Sequence, residues 1–222
     1  MKVLIFDVET TGLLPKIINF KDVDKYPYVI QLSYLLFDVN KYQIIDKFND
    51  YIILNRKIKI SNKITKLTGI NKEKSLSGVT IQTGLKRITE AIKEADCIVA
   101  HNLEFDARML LVELERNREI LKKVEPEVLD LKDIIKEKDY YCTMMNGIEI
   151  CNIMVKSLDG GREYKKWPKL IEVYKHLFEE KEVDNLHNSL VDAMVCLRCY
   201  LKMREDHYME EEEFNNIIKK LI

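Results

Sequence analysis

The chain reads as a mixed-sheet α/β domain, and three observations predict it. An apolar run opens the sequence, two β-branched and aromatic runs follow with a short polar turn between them, and helical spacing then alternates with short buried strands. Met1 to Val8 is the first element. Val3, Leu4, Ile5 and Phe6 stand in unbroken succession, as in a strand covered on both faces. Val29 to Val39 and Tyr42 to Leu54 pair as an antiparallel hairpin around Asn40-Lys41. Ile81, Leu85, Ile88, Ile92 and Ala95 step by three and four, which makes an amphipathic helix. Cys97 to Ala100 is a short buried strand, and Glu104 to Arg118 is a helix carrying Phe105, Met109, Val112 and Leu114. Tyr140 to Met144 reads as a strand, charged residues around Lys122 to Lys138 as a solvated helical face, and Asp159-Gly160-Gly161 as a turn. Pro168 is expected as the first residue of a helix with Leu170, Val173, Tyr174 and Leu177 inward. A last long helix covers about Asn188 to Glu205, and Glu210 to Glu213 open a short terminal helix of Phe214, Ile217, Ile218 and Leu221.

Composition narrows the class. The 222 residues fit one large domain, and 46% hydrophobic content supports a sizeable core. No run has membrane-span length, and the start is a strand pattern rather than a secretory leader, so no membrane partner is expected. Lys plus Arg (36) and Asp plus Glu (37) nearly cancel, which leaves room for a local basic patch. Five cysteines, an odd and sparse count, point to a reducing cytoplasmic or nuclear compartment rather than secretion. Cys196 and Cys199 lie within a helix with no second pair, so they read as packing.

The chemistry concentrates in three places. Asp7 and Glu9 lie two apart at the end of the first strand. They therefore face the same way with α-carbons about 6.5 Å apart. Two like charges at a core edge are costly unless a hard divalent cation joins them. Asp106 falls in the first turn of the helix after Val99-Ala100-His101-Asn102, where a helix-terminus role is the bland explanation. His187 and Asp192 are five apart, about 140° around an ideal helix, so His187 belongs on a loop before the helix that fixes Asp192. A mobile imidazole beside a fixed carboxylate suits a proton acceptor next to a metal ligand.

Asp7-x-Glu9-Thr10-Thr11-Gly12, His101-Asn102-x-x-Phe105-Asp106 and His187-x4-Asp192 resemble, in order, the three motifs of the DEDDh 3′→5′ exonucleases. That family includes the proofreading epsilon subunit of bacterial DNA polymerase III, ribonuclease T, oligoribonuclease and the TREX-type enzymes. Thr68-Gly69-Ile70 is similar to the family's nucleotide-pocket loop. The resemblance implies a ribonuclease-H-like fold with a mixed five-stranded sheet flanked by helices, 1–205 forming the exonuclease domain and 206–222 a short helical tail. It implies two Mg²⁺ ions, with Mn²⁺ able to substitute, held by Asp7, Glu9, Asp106 and Asp192, with His187 taking the proton from the attacking water. Thr10, Thr11, Gly12 and Leu13 would line the terminal nucleotide, main-chain amides reaching its sugar, and Thr68 and Asn102 would join them. The implied partner is a nucleic-acid 3′ end, DNA favoured over RNA, in a proofreading or repair setting with a polymerase or similar partner. Trimming of RNA, an inactive binding module and a polymerase accessory subunit stand as alternatives. The stretch 14–28 is longer than the family's usual link, and a C-terminal polymerase tether is not expected.

Other residues carry two readings each. His101 reads as a satisfied histidine at a strand end and Asn102 as a loop tie, with substrate contact the alternative for both. Trp167, after Lys165 and Lys166, is expected to pack on the core, base stacking being the alternative. Lys57, Lys59, Lys63 and Lys66 are either a phosphate-facing patch or a solvated face, and His176 and His207 are surface residues.

Overall fold

Strand β1 (Lys2–Thr10) occupies the centre of a five-stranded sheet. Its neighbours are β2 (Val29–Asp38) and β4 (Cys97–Ala100), with β3 (Gln43–Tyr51) and β5 (Asp139–Cys142) at the edges, giving the order β3-β2-β1-β4-β5. The pairs β1–β2 and β2–β3 are antiparallel, whereas β4 and β5 run parallel to β1. The computed structural model describes residues 1–157, 160–179, 183 and 186–221. Asp159, of the expected turn, and Ile222 lie outside the described residues.

Parity along β1 decides which side chains go where. Leu4, Phe6 and Val8 pack with α3 (Ile81–Glu94) and α4 (Leu103–Arg116), against Leu85, Ile88, Ile92, Met109 and Leu110. Val3 and Ile5 face the other layer, where α8 (Leu170–Phe178), α9 (Ser189–Arg204) and α10 (Glu211–Leu221) supply Val173, Val191, Met194, Leu197 and Phe214. Asp7 and Glu9 share the parity of Val3 and Ile5, so the sheet itself aims both carboxyls toward α9. Cys196 and Cys199 are buried in α9, as expected of packing residues.

Between these elements lie short helices that the periodicity did not show: α1 (Asn62–Thr68), α2 (Lys72–Leu76), α5 (Arg118–Val124), α6 (Leu131–Glu137) and α7 (Thr143–Cys151). A two-stranded hairpin, β6 (Met154–Lys156) and β7 (Glu163–Lys165), sits apart from the main sheet.

Five expectations need correction. The strand expected to reach Leu54 ends at Tyr51. The helix carrying Asp106 stops at Arg116, because Asn117 leaves helical geometry and takes the carbonyls of the last turn as its own partners. The strand expected to reach Met144 ends at Cys142, and Thr143 already begins a helix. Pro168 lies outside its helix: Lys169 is the N-cap, and the Glu172 carboxylate accepts the Lys169 N–H at 2.7 Å. Trp167 does not pack on the core; it is 64% exposed.

Residues 206–221 fold back on the domain. Met209 and Phe214 are buried, and Arg198, itself fully buried in α9, donates from Nε to the Met209 carbonyl at 2.9 Å. Its guanidinium lies over the rings of Phe178 at 4.1 Å and Phe214 at 4.8 Å.

Candidate active site

The carboxylates of three distant segments meet at the end of β1. Asp106, one turn into α4, is buried, and its Oδ1 accepts the N–H of Val8 at 3.1 Å. Val8 stands between Asp7 and Glu9, so this bond pins the third carboxyl against the first two. The fourth comes from α9, whose N-cap Asn188 accepts the Leu190 N–H at 3.1 Å. His187 precedes that cap with a left-handed backbone (φ 67°), exposed, as the loop position requires. Its N–H donates to Asp192 Oδ2 at 3.2 Å. Ligand atoms of Glu9, His187 and Asp192 lie within 4.8 Å of one another.

The electrostatics follow from crowding without a countercharge. Burial, then the charges of Asp106, Asp192 and Glu9, hold the Asp7 carboxyl well above the usual carboxylate range. Burial, then Asp192 and Asp106, push Glu9 up to about 8. Asp106 is raised by burial, partly offset by its backbone hydrogen bonds. Asp192 is raised by burial to about 7, against the lowering pull of the His187 N–H. Among the described residues no Lys or Arg acts on any of the four. Asp192 Oδ1 is buried without a hydrogen-bond partner. An oxygen-rich, anionic donor set with an orphaned buried oxygen fits a hard divalent cation.

The expected rim residues divide between two walls. Thr10 is buried and donates its hydroxyl to the Gly12 carbonyl at 2.6 Å. Thr11 does not offer its amide to a ligand: the N–H is spent on the Tyr28 carbonyl at 2.9 Å, and its Oγ1 accepts the Tyr28 N–H at 2.9 Å. Gly12 has room around it, and Leu13 is 86% exposed. Thr68 ends α1; its hydroxyl donates to the Ile64 carbonyl and accepts the Ile70 N–H. It shares a cavity of about 360 Å³ with Tyr51, Lys74 and His187. Asn102 is left-handed (φ 70°), makes no side-chain cap bond and lines a separate groove.

His101 is the satisfied strand-end histidine. Nε2 donates to the Pro168 carbonyl at 3.1 Å, so Nδ1 accepts from the Thr143 hydroxyl at 3.0 Å. Burial lowers its pKa to about 4, which keeps it neutral.

Two supporting sets escaped the sequence reading. Ser33, register partner of Asp7, shares a 2.6 Å hydroxyl bond with Ser189, and Gln31 Oε1 accepts the Ser189 N–H at 3.3 Å. These bonds fix the start of α9 to β2, beside β1. Gln31 and Ser33 are polar interruptions of one parity inside VIQLSYLL, which was the available signal. The second set is Glu113, which is buried, and Arg116, which is nearly so. Glu113 Oε1 accepts from the Val29 N–H at 3.0 Å and from Arg116 Nη1 at 2.5 Å. Arg116 Nη2 donates to the carbonyls of Val23, Tyr26 and Pro27. The pair clamps the segment that holds Thr11; only three-dimensional packing reveals it.

A family model described as "Exonuclease", that of the RNase T family, matches residues 4–200. The chain belongs to this exonuclease family. Its DEDDh-type members share the motif set found here. A DNA polymerase III of PolC type from Caldanaerobacter subterraneus subsp. tengcongensis is 30% identical over 202 residues, 91% of this chain and 11% of that protein. The corresponding polymerase of Mycoplasmopsis pulmonis is 29% identical over 133 residues, 60% of this chain and 8% of that protein. The chain thus spans about a tenth of the length of these curated relatives. Among solved structures, the nuclease domain of 3′hExo, a DEDDh family member bound to rAMP, superposes with TM-score 0.65 at 16% identity, covering 92% of each chain. Exonuclease I of E. coli in complex with a dA16 oligonucleotide gives 0.60 at 14% identity, over 98% of this chain and 43% of that one. These likenesses show the ribonuclease-H-like fold. Among the described residues no helix is long and apolar enough to cross a membrane.

Proposed function

We propose that this exonuclease-family chain removes nucleoside 5′-monophosphates from the 3′ ends of single-stranded or frayed DNA, using two Mg²⁺ ions for which Mn²⁺ can substitute. One observation carries the reading: four carboxyls converge at the end of β1, beside an exposed imidazole, and among the described residues no Lys or Arg acts on them. Asp7, Glu9, Asp106 and Asp192 would hold the ions. When bound, divalent ions lower the pKa of water and stabilise charge on phosphoryl and leaving oxygens.

The chain's own residues do the rest. A ring nitrogen of His187 takes the proton of the attacking water; its left-handed, exposed position before the helix leaves the ring able to turn between Asp192 and solvent. Asp192 orients that loop through the His187 N–H. Gly12 and Leu13 on one wall and Thr68 on the other enclose the terminal nucleotide, with Thr10 and Thr11 fixing the backbone between them.

PolC-type relatives support DNA as substrate and a replication or repair partner such as a polymerase. A second reading, trimming of RNA, is supported by the rAMP-bound neighbour, which covers most of both chains. Matched 5′-labelled DNA and RNA oligonucleotides, single- and double-stranded, incubated with Mg²⁺ and with EDTA, test both. The expected result is a ladder shrinking from the 3′ end, faster on single-stranded DNA, absent in EDTA. Internal cleavage, or cleavage indifferent to EDTA, overturns the proposal.

A further inference from the structure

Beside the carboxylate cluster, on the far side of the first turn of α4, lies a groove of about 480 Å³ that the nuclease reading leaves unused. Its size suits a ligand site. Leu103, Ala107, Tyr140, Met144, Met145 and Trp167 line it, and it is mostly apolar. Three of these are unusually open for large apolar side chains: Tyr140 is 70% exposed, Trp167 64% and Met145 50%. Exposed aromatic faces around an apolar floor are the composition with which single-stranded nucleic acid is gripped, because every base has a π face.

We infer that this groove stacks the bases of a single strand a short distance upstream of the 3′ end held at the carboxylates, with Trp167 and Tyr140 as the stacking surfaces. The inference rests on the nuclease reading of the neighbouring site. Continuity favours nucleic acid over a protein segment as occupant. Asn102, Leu103 and Glu104 line the groove, and Asp106 follows on the same helix. One helical turn is about 5.4 Å, so the groove opens within about a turn of a site carboxylate along α4. The rim carries lysines, but they are already engaged. Lys136 and Lys138 line the groove, and Lys165 and Lys166 flank Trp167 in sequence. Lys136, Lys165 and Lys166 are paired with Asp133, Glu149 and Glu172, and Lys138 with the backbone carbonyls of Lys93 and Ala95. Stacking rather than net charge therefore supplies the grip.

Trp167 is the chain's one tryptophan, so its emission reports the groove directly. The full chain in EDTA is titrated with an oligothymidylate, binding being followed in parallel by anisotropy of a labelled copy. Saturating quenching that tracks the anisotropy supports the inference. In Trp167→Ala and Tyr140→Ala, Kd for the oligothymidylate should rise about tenfold, the loss of one stacked base, while Trp167→Phe recovers most of it. With Mg²⁺ present, the rise in KM should shrink as the substrate is shortened toward a dinucleotide. Binding that leaves Trp167 emission unchanged, or alanine variants that bind like the wild type, overturns it. Should the wild type bind and quench yet never cleave, the nuclease reading fails and this one stands; should it cleave without quenching, the reverse holds.

Discussion

Replacing Glu9 by Gln should stabilise the metal-free protein in alkaline solution and change little near pH 4. In the folded chain burial and the charges of Asp192 and Asp106 push Glu9 up to about 8, from an ordinary 4.5. Below the lower value both folded and unfolded states hold the proton, and the residue contributes nothing to pH dependence. Between the two the unfolded chain releases its proton while the folded chain keeps it, so stability falls as pH rises. The loss is complete above the folded value. At 1.36 kcal/mol per pH unit the span sets a ceiling of roughly 5 kcal/mol, and about 3–5 kcal/mol allows for water reaching the cleft. Gln fills the same space and never ionises. For a domain of this size, about 2–4 °C per kcal/mol converts this to a Tm gain of about 6–20 °C at pH 9 in EDTA. Thermal unfolding by circular dichroism from pH 4 to pH 9, with EDTA and with excess Mg²⁺, measures it. Mg²⁺ should restore much of the wild type's alkaline stability and less of the variant's. Parallel Tm curves for wild type and variant at every pH in EDTA would refute the reasoning, because Glu9 would then not carry a raised pKa.

Four further outcomes are expected. Asp7→Asn and Asp192→Asn should each lower Mg²⁺-dependent cleavage by at least about a hundredfold with unchanged far-ultraviolet circular dichroism, read from product ladders. His187→Ala should lower kcat by about 10²–10⁴-fold with little change in the Mg²⁺ concentration giving half-maximal rate; lost metal affinity at a normal saturated rate would contradict its proton role. Arg116→Ala leaves Glu113 buried and unpaired, and should cost about 3–5 kcal/mol in urea unfolding while raising KM, since the segment behind Thr11 loses its clamp. Phe214→Ala should cost about 3–5 kcal/mol, measured the same way, because its ring fills the core beside Arg198.

Much of this was legible in the sequence because the informative features are local. Apolar runs and period-3.6 patterns marked β1, β2, β4, α3, α4 and α9 within a residue or two and β3 within three, and Asp7 and Glu9 could be placed on one face by parity alone. Spacing likewise put His187 off the helix that carries Asp192. What stayed hidden depends on contacts between distant segments. Helices α1 and α2 are a turn or two long, too short for periodicity to register, and α5 and α6 showed only as one charged helical stretch. Trp167 was misread because a lone aromatic before a helix looks alike whether it faces core or solvent; the layer it borders decides. Arg198 and the Glu113–Arg116 pair look like surface charges on helices until the aromatic rings and free carbonyls that receive them are assembled.

The ties that fix the carboxylate-bearing segments directly are neutral. Asp106 is fixed by a backbone N–H, Asp192 by another, and α9 by hydroxyl, amide and backbone groups of Ser33, Gln31, Asn188 and Ser189. Two basic groups, one on α4 and one just before it, are engaged elsewhere. Arg116 is spent on Glu113 and three carbonyls, and His101 is kept uncharged between Thr143 and Pro168. A lysine or arginine set among the four acids would lower their pKa values and steady the fold, but it would occupy the position of a bound cation. Leaving the repulsion unrelieved costs stability in the metal-free chain and reserves the site for an ion. Binding to the folded state alone then returns that stability in proportion to RT ln(1 + [ion]/Kd). On the proposed function, folding and activity would be tied to the same ligand, and the alkaline instability expected of the metal-free protein would be the measurable trace of that tie.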